Sequence, residues 1–306
     1  MISSILKKAK LHSATGGRPP AAVELTPDGA LAAALPKPEE PPVFAFSPLP
    51  AGALVPGIGE PNVRNPEAVA DAIRSALSSV SPRSRFVTLV LPDPVVRVFV
   101  LDFESLPAKP AEALPVLRFR LRKMVPFDVE HTGLSYQILS QEKDEIKVLA
   151  VILPIAILEE YEEAVEAAGY EAGAVLPSSL ATLEATDSLE AVLIANLNGP
   201  ALTTTIANGN DLLLYRTLDL PEEPHQRLAE IQRGVAVAAA YFEDKLGARP
   251  YKLHYAGNGD ANEFARWLND PELEVVDLVP QPDTGMATAL ADASIAGVAG
   301  ALAGVS

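Results

Sequence analysis

The chain has 306 residues, 48% of them hydrophobic, so two compact units or two related lobes with sizeable cores are expected. Its 40 acidic against 24 basic residues give a formal charge of −16, which argues against a nucleic-acid partner, because phosphate binding needs a positive footprint. There is no cysteine, which removes disulfides, thiolate zinc sites and cysteine nucleophiles. None of the four histidines (His12, His131, His225, His254) stands at a metal-ligand spacing such as HExxH.

The opening stretch MISSILKKAKLH puts Ile2, Ile5, Leu6 and Ala9 on one helical face beside Lys7, Lys8 and Lys10. No apolar run follows these lysines, which is the wrong order for a signal peptide. Residues 1–20 read as a tail whose start is either a short surface helix or frayed. AAVEL and LAAAL then flank Thr26-Pro27-Asp28-Gly29, a hairpin-turn signal. Residues 36–66 are proline-rich and read as an extended connection. Asn65 is placed to cap a helix, with Pro66 at its first position and Val69, Ile73, Leu77 and Val80 on its buried face.

Residues 86–91 and 95–103 read as strands joined by Pro92-Asp93-Pro94. The segment 112–124 alternates locally, yet Leu114, Leu117, Leu121 and Met124 recur at three and four, so a helix is expected. Its cations Arg118, Arg120, Arg122 and Lys123 read as a solvated face, or as a docking patch for an acidic partner. Two further strands at 134–139 and 146–153 and a helix over 155–168, stopped by Gly169, close this unit. A linker is expected over 176–189. Three strands follow at 191–196, 201–207 and 211–217, the last two joined by Asn208-Gly209-Asn210. After them come a long helix over 224–246, a strand over 251–256 ending at Gly257-Asn258-Gly259, a helix carrying Phe264 and Leu268, and a short strand at Val275-Val276. The Ala/Gly-rich stretch 285–306 has no uncharged run approaching the ~20 residues that span a bilayer, and reads as a buried helix of small residues.

In this order, RFVTLVLPDPVVRVFVLDFESLP, then RFRLRKMVPFDVEHTGLSYQIL with its Pro126-Phe127 pair, then KVLAVILPIAILEEYEEAVEAAGYEAGAV resemble PilM-type type IV pilus assembly proteins, actin-fold relatives of the cell-division protein FtsA. The likeness is best over 86–176; elsewhere it rests on element order and on the opening MISSILKKAK. It implies an α/β, actin-like (ribonuclease H-like) two-lobed fold. The first lobe is expected over 21–85 and 169–189, a compact βαβ-type insert over 86–168, and a second lobe over 190–306. Only 219–224 separate a strand from the long helix where the family inserts a helical subdomain. The second lobe is therefore expected to be reduced, with the interlobe cleft open on one side.

The resemblance also implies an ATP cleft built from two Asp-x-Gly hairpins, whose glycine amides cradle phosphate while the aspartates orient magnesium or water. Here Glu24 takes the first aspartate position and Thr26 the glycine position, Pro27-Asp28-Gly29 replaces a serine cluster, and Leu31 replaces a common lysine. In the second hairpin Asn196 replaces the aspartate and Asn198 the glycine, and the adenosine turn survives as Gly257 and Gly259. Proline removes an amide donor, and Asp28 sets a like charge where phosphate oxygens would lie. Glu24, Thr26, Asp28, Asn196, Asn198, Gly257 and Gly259 read as vestiges of a pseudo-ATPase; the alternative is a protein that still binds ATP with magnesium. No P-loop, GxSxG or GxGxxG is present.

The resemblance further implies a cytoplasmic scaffold peripheral to the inner membrane. It would take the tail of a PilN-type single-pass protein in a groove between the first lobe and the insert, contact pilus motor ATPases, and self-associate. Arg118, Arg122, Lys123 and Phe127 are the expected docking residues. A type II secretion platform protein of the GspL type shares the fold and is the alternative assembly.

Overall fold

The computed structural model describes residues 17–37, 40–186, 188, 190–209, 211–280, 293–303 and 305. The expected N-terminal surface helix lies outside these residues. The first sheet has the order β3-β2-β1-β4-β8 and the second β11-β10-β9-β12-β13. In the first, β1 (Ala21–Thr26), β2 (Gly29–Ala34) and β3 (Val43–Pro48) are antiparallel, while β4 (Phe86–Leu91) and β8 (Glu171–Pro177) run parallel to β1. The second repeats this design. There β9 (Ala191–Asn198), β10 (Ala201–Asn208) and β11 (Asp211–Asp219) are antiparallel, with β12 (Lys252–Gly257) and β13 (Glu274–Asp277) parallel to β9. Two copies of one three-plus-two sheet, each covered by helices, make the two-lobed actin-like α/β architecture.

Local chemistry accounts for the main elements. Helix α1 (Pro66–Val80) starts where Asn65 accepts the Ala68 N–H at 3.1 Å, and it buries Val69, Ile73, Leu77 and Val80 as the spacing predicts. Each such side chain contributes about 2 kcal/mol on burial. The 36–66 stretch is more ordered than an extended connection. It contains β3, and Asn62, fully buried, donates to the Gly57 and Glu60 carbonyls while Glu160 receives the Asn62 and Val63 N–H groups.

The insert is smaller than 86–168. β4 lies between β1 and β8 inside the first sheet, and α3 (Ile155–Ala167) packs on α1 and β8. The separate unit is a three-stranded antiparallel sheet of β5 (Arg97–Phe103), β7 (Ile146–Pro154) and β6 (Thr132–Gln141), in that order, with α2 (Pro110–Leu121). Strand period decides the packing. Val148, Ala150 and Ile152 of β7 face α2, whereas Leu149, Val151 and Leu153 join the first-lobe core. A strand buried on both faces reads as one apolar run.

The expected linker 176–189 instead holds the end of β8 and α4 (Ser178–Glu184), every residue of which is buried. In the second lobe β11 ends at Asp219 and the long helix α5 (Pro224–Leu246) follows at once, with Arg216 in the strand and Arg227 in the helix. The lobe continues through β12, α6 (Ala261–Leu268) and β13. Helix α7 (Ala296–Ala303) then returns to the first lobe and packs on α4 and β1. Small residues allow this return. Gly300 sits so close to the Ala181 carbonyl that an added Cβ would overlap it. Gly300→Ala is therefore expected to lower stability by about 2 kcal/mol, read as a lower urea midpoint with an unchanged slope.

Candidate functional site

The structure brings most of the positions expected in the cleft onto one small cavity. Glu24, Thr26, Asn196, Asn198 and Gly257 line a space of about 20 Å³ between the lobes, room for one water molecule. Glu24 is only 4% exposed. Its Oε1 accepts from the Ser178 hydroxyl at 2.6 Å and the Asn198 amide at 3.4 Å, and its Oε2 lies against Gly297 of α7. Asn196 Nδ2 donates to Ser178 Oγ at 3.1 Å and to Ser179 Oγ at 2.9 Å. The C-terminal helix and the α4 serines thus occupy the floor of the cleft.

Two further contacts hold the lobes together. A Cβ on Gly199, in the β9–β10 turn with φ +54°, would stand 3.1 Å from the Pro27 ring, so the two hairpin turns touch. Asn258 Nδ2 donates to Asp28 Oδ2 at 2.7 Å. Side chains from both lobes therefore meet at the floor of the cleft. An outer cavity of about 490 Å³ remains beside it, lined by Thr26, Asp28, Phe46, Asn258 and Ser294. Gly259, at φ +81°, caps the approach to α6 beside Glu263 and does not line the floor.

The most connected buried group at the interface is one the sequence reading used only as a turn residue. Asp93, 1% exposed, begins a single 3-10 turn at the root of the insert. Its Oδ1 accepts the Ser179 N–H at 3.0 Å and lies 3.5 Å from the Tyr215 hydroxyl; its Oδ2 accepts the Thr203 hydroxyl at 2.8 Å and the Ser179 hydroxyl. Asp93 therefore ties α4 and the insert root to β10 and β11 of the second lobe. Ser178, Ser179, Thr203, Tyr215 and Gly297 were likewise not singled out. An acid between two prolines at the end of an apolar strand was the only local signal.

Burial sets the electrostatics. Desolvation pushes the Glu24 carboxyl up to about 7, opposed by the Ser178 hydrogen bond and reinforced by the nearby Asp93 charge. Desolvation also raises Asp93, against its Ser179, Thr203 and Tyr215 hydrogen bonds. Among the described residues no group of three His, Asp or Glu is placed to hold a metal ion. The closed floor, the Pro27–Gly199 contact and the Asp28 carboxylate do not fit a nucleotide phosphate with its magnesium.

The expected docking residues on the insert separate. Arg118 turns inward, where Nη1 donates to Thr132 Oγ1 at 2.8 Å and to the Val129 carbonyl, and Nη2 donates to the Thr132 carbonyl at 3.1 Å. It pins α2 to the start of β6. Arg122 pairs with Glu130 at 2.6 Å, and Phe127 packs half-buried against the insert core. Lys123 is exposed. Among the described residues no helix is long and apolar enough to cross a membrane.

The sequence matches no protein-family model and no curated protein. Among solved structures, a chain of a PilM-PilN type IV pilus biogenesis complex is similar over 95% of this chain and 98% of its own, with a TM-score of 0.72 and 18% identity. The cytoplasmic domain of EpsL, an inner membrane component of the type II secretion system of Vibrio cholerae, is similar over 86% of this chain and 89% of its own, with a TM-score of 0.51 and 15% identity. At such identities the likeness establishes the fold, and it is the actin-like fold expected from the resemblance.

Proposed function

We propose that the chain is a non-catalytic platform protein of a type IV pilus or related secretion machine, working at the cytoplasmic face of the inner membrane. It binds the short cytoplasmic tail of a PilN-type single-pass partner. The observation that carries this reading is the closed interlobe floor. An actin-like fold whose hairpin turns touch and whose cavity of about 20 Å³ admits one water is left with its surfaces as working parts. The fold likeness to a chain of a pilus complex supports the choice of machine.

Sheet topology supports one docking edge for the tail. β4 is flanked by β1 and β8 and has no free edge. β5 faces the second lobe, with Arg97 3.6 Å from Asp219. β6 pairs with β7 alone among the described strands, so an extended tail adds there as a further strand, through main-chain hydrogen bonds. Calorimetry against the N-terminal cytoplasmic peptide of the single-pass protein encoded beside this gene is expected to give a dissociation constant on the order of micromolar. No heat at ~100 μM peptide with the protein folded, a hundredfold above that constant, contradicts the reading.

One observation favours a second reading, residual nucleotide binding. The outer cavity of about 490 Å³ falls within the size range of ligand pockets. Asp28 on its wall opposes phosphate.

A further inference from the structure

Helix α2 has two faces that meet different surroundings. Ala113, Leu117 and Leu121 are buried on the insert sheet. Val116, Phe119 and Arg120 form a second stripe on its flank, and Lys123 follows in the turn just past the helix. On that stripe Val116 is 37% and Phe119 74% exposed, and Met124, just past the helix, is 43% exposed. Arg120 and Lys123 are exposed and take part in no ion pair among the described residues. Two turns before Arg120, Glu112 is already paired with Lys109 at 3.3 Å. A last-turn cation suits the helix dipole, which accounts for Arg120. It does not account for an aromatic ring held in water beside it.

A lone exposed apolar residue needs no explanation, whereas a cluster rimmed by charge marks an interaction site. The stripe is cationic in a chain of formal charge −16. Its two unpaired cations make an acidic protein segment the complementary partner. We infer that the Val116–Phe119–Arg120–Lys123 flank of α2 docks an acidic, amphipathic segment of another protein. Phe119 enters an apolar pocket, and Arg120 and Lys123 meet carboxylates. This surface is separate from the β6 edge and does not depend on the tail reading.

The test is selection of a random phage-displayed peptide library on the intact protein, followed by binding of the enriched peptide in solution. Enriched sequences are expected to be acidic, with apolar residues three or four apart. Binding is expected to weaken about tenfold between ~50 and ~500 mM salt. Phe119→Ala is expected to weaken it about tenfold as well, with an unchanged urea midpoint because the side chain is exposed. Failure of any acidic peptide to enrich overturns the inference, as does binding that survives Phe119→Ala. Phe119-dependent flotation with phosphatidylglycerol vesicles, or Phe119-dependent self-association in sedimentation, overturns it in favour of a membrane or a second copy.

Discussion

Asp93→Ala is expected to destabilise the protein by about 4 kcal/mol. The carboxylate receives donors from Ser179, Thr203 and Tyr215. Truncation takes the acceptor from the buried Ser179 N–H and leaves Thr203 only its contact with the Thr217 hydroxyl at 3.0 Å, and an unpaired buried donor costs more than a hydrogen bond contributes. Thr203→Val removes one donor from the same cluster and is expected to cost about 1 kcal/mol. The two losses should not add, because the residues share a network. Urea denaturation of the two single variants and the double variant measures this. A loss under ~1 kcal/mol for Asp93→Ala would mean that Asp93 does not tie the lobes together.

Between about pH 4.5 and 7 the protein is expected to lose about 3 kcal/mol of stability through Glu24 alone. The sign follows from the direction of the shift. The carboxyl titrates at 4.5 when unfolded and near 7 when folded, so the folded chain holds a proton that the unfolded chain has released. The stabilisation is complete below the unfolded value, declines as pH rises through the interval, and is gone above the folded value. Asp93, raised by the same desolvation, adds in the same direction. Glu24→Gln keeps the shape and removes the titration. It should flatten the difference in urea midpoint across this interval and stabilise the protein at pH 8. Equal pH slopes for the two proteins would show that Glu24 is not held in a closed, dry site.

The elements that a chain specifies locally were legible. Asn65 and Pro66 mark the start of α1, and the long stripe of α5 gives both its ends. What depends on distant pairing was not. Nothing in FVTLVL distinguishes a strand of the insert from one lying parallel between β1 and β8. β3 was hidden because VFAFSP is short and sits among prolines. α4 was missed because a helix buried on every side has no polar face to give it a period. The cleft positions came from a resemblance; Glu24, Thr26, Asn196, Asn198 and Gly257 line one cavity, and Asp28 and Gly259 do not. Of the residues that close it, Ser178 read locally as a linker residue and Gly297 as one of many small residues in a helix, since burial is a property of the partner surface. Arg118 illustrates the converse: one of four neighbouring cations, it is the one bound to the Val129 and Thr132 carbonyls.

The central claim, that the interlobe cleft is closed to nucleotide, is tested most directly by the melting temperature with and without millimolar ATP and magnesium. A ligand present at about a hundred times its dissociation constant stabilises the folded state by about 2.7 kcal/mol, several degrees for a chain of this size. The closed floor around Glu24 and Asn196 predicts no shift. A magnesium-dependent rise of several degrees would contradict it.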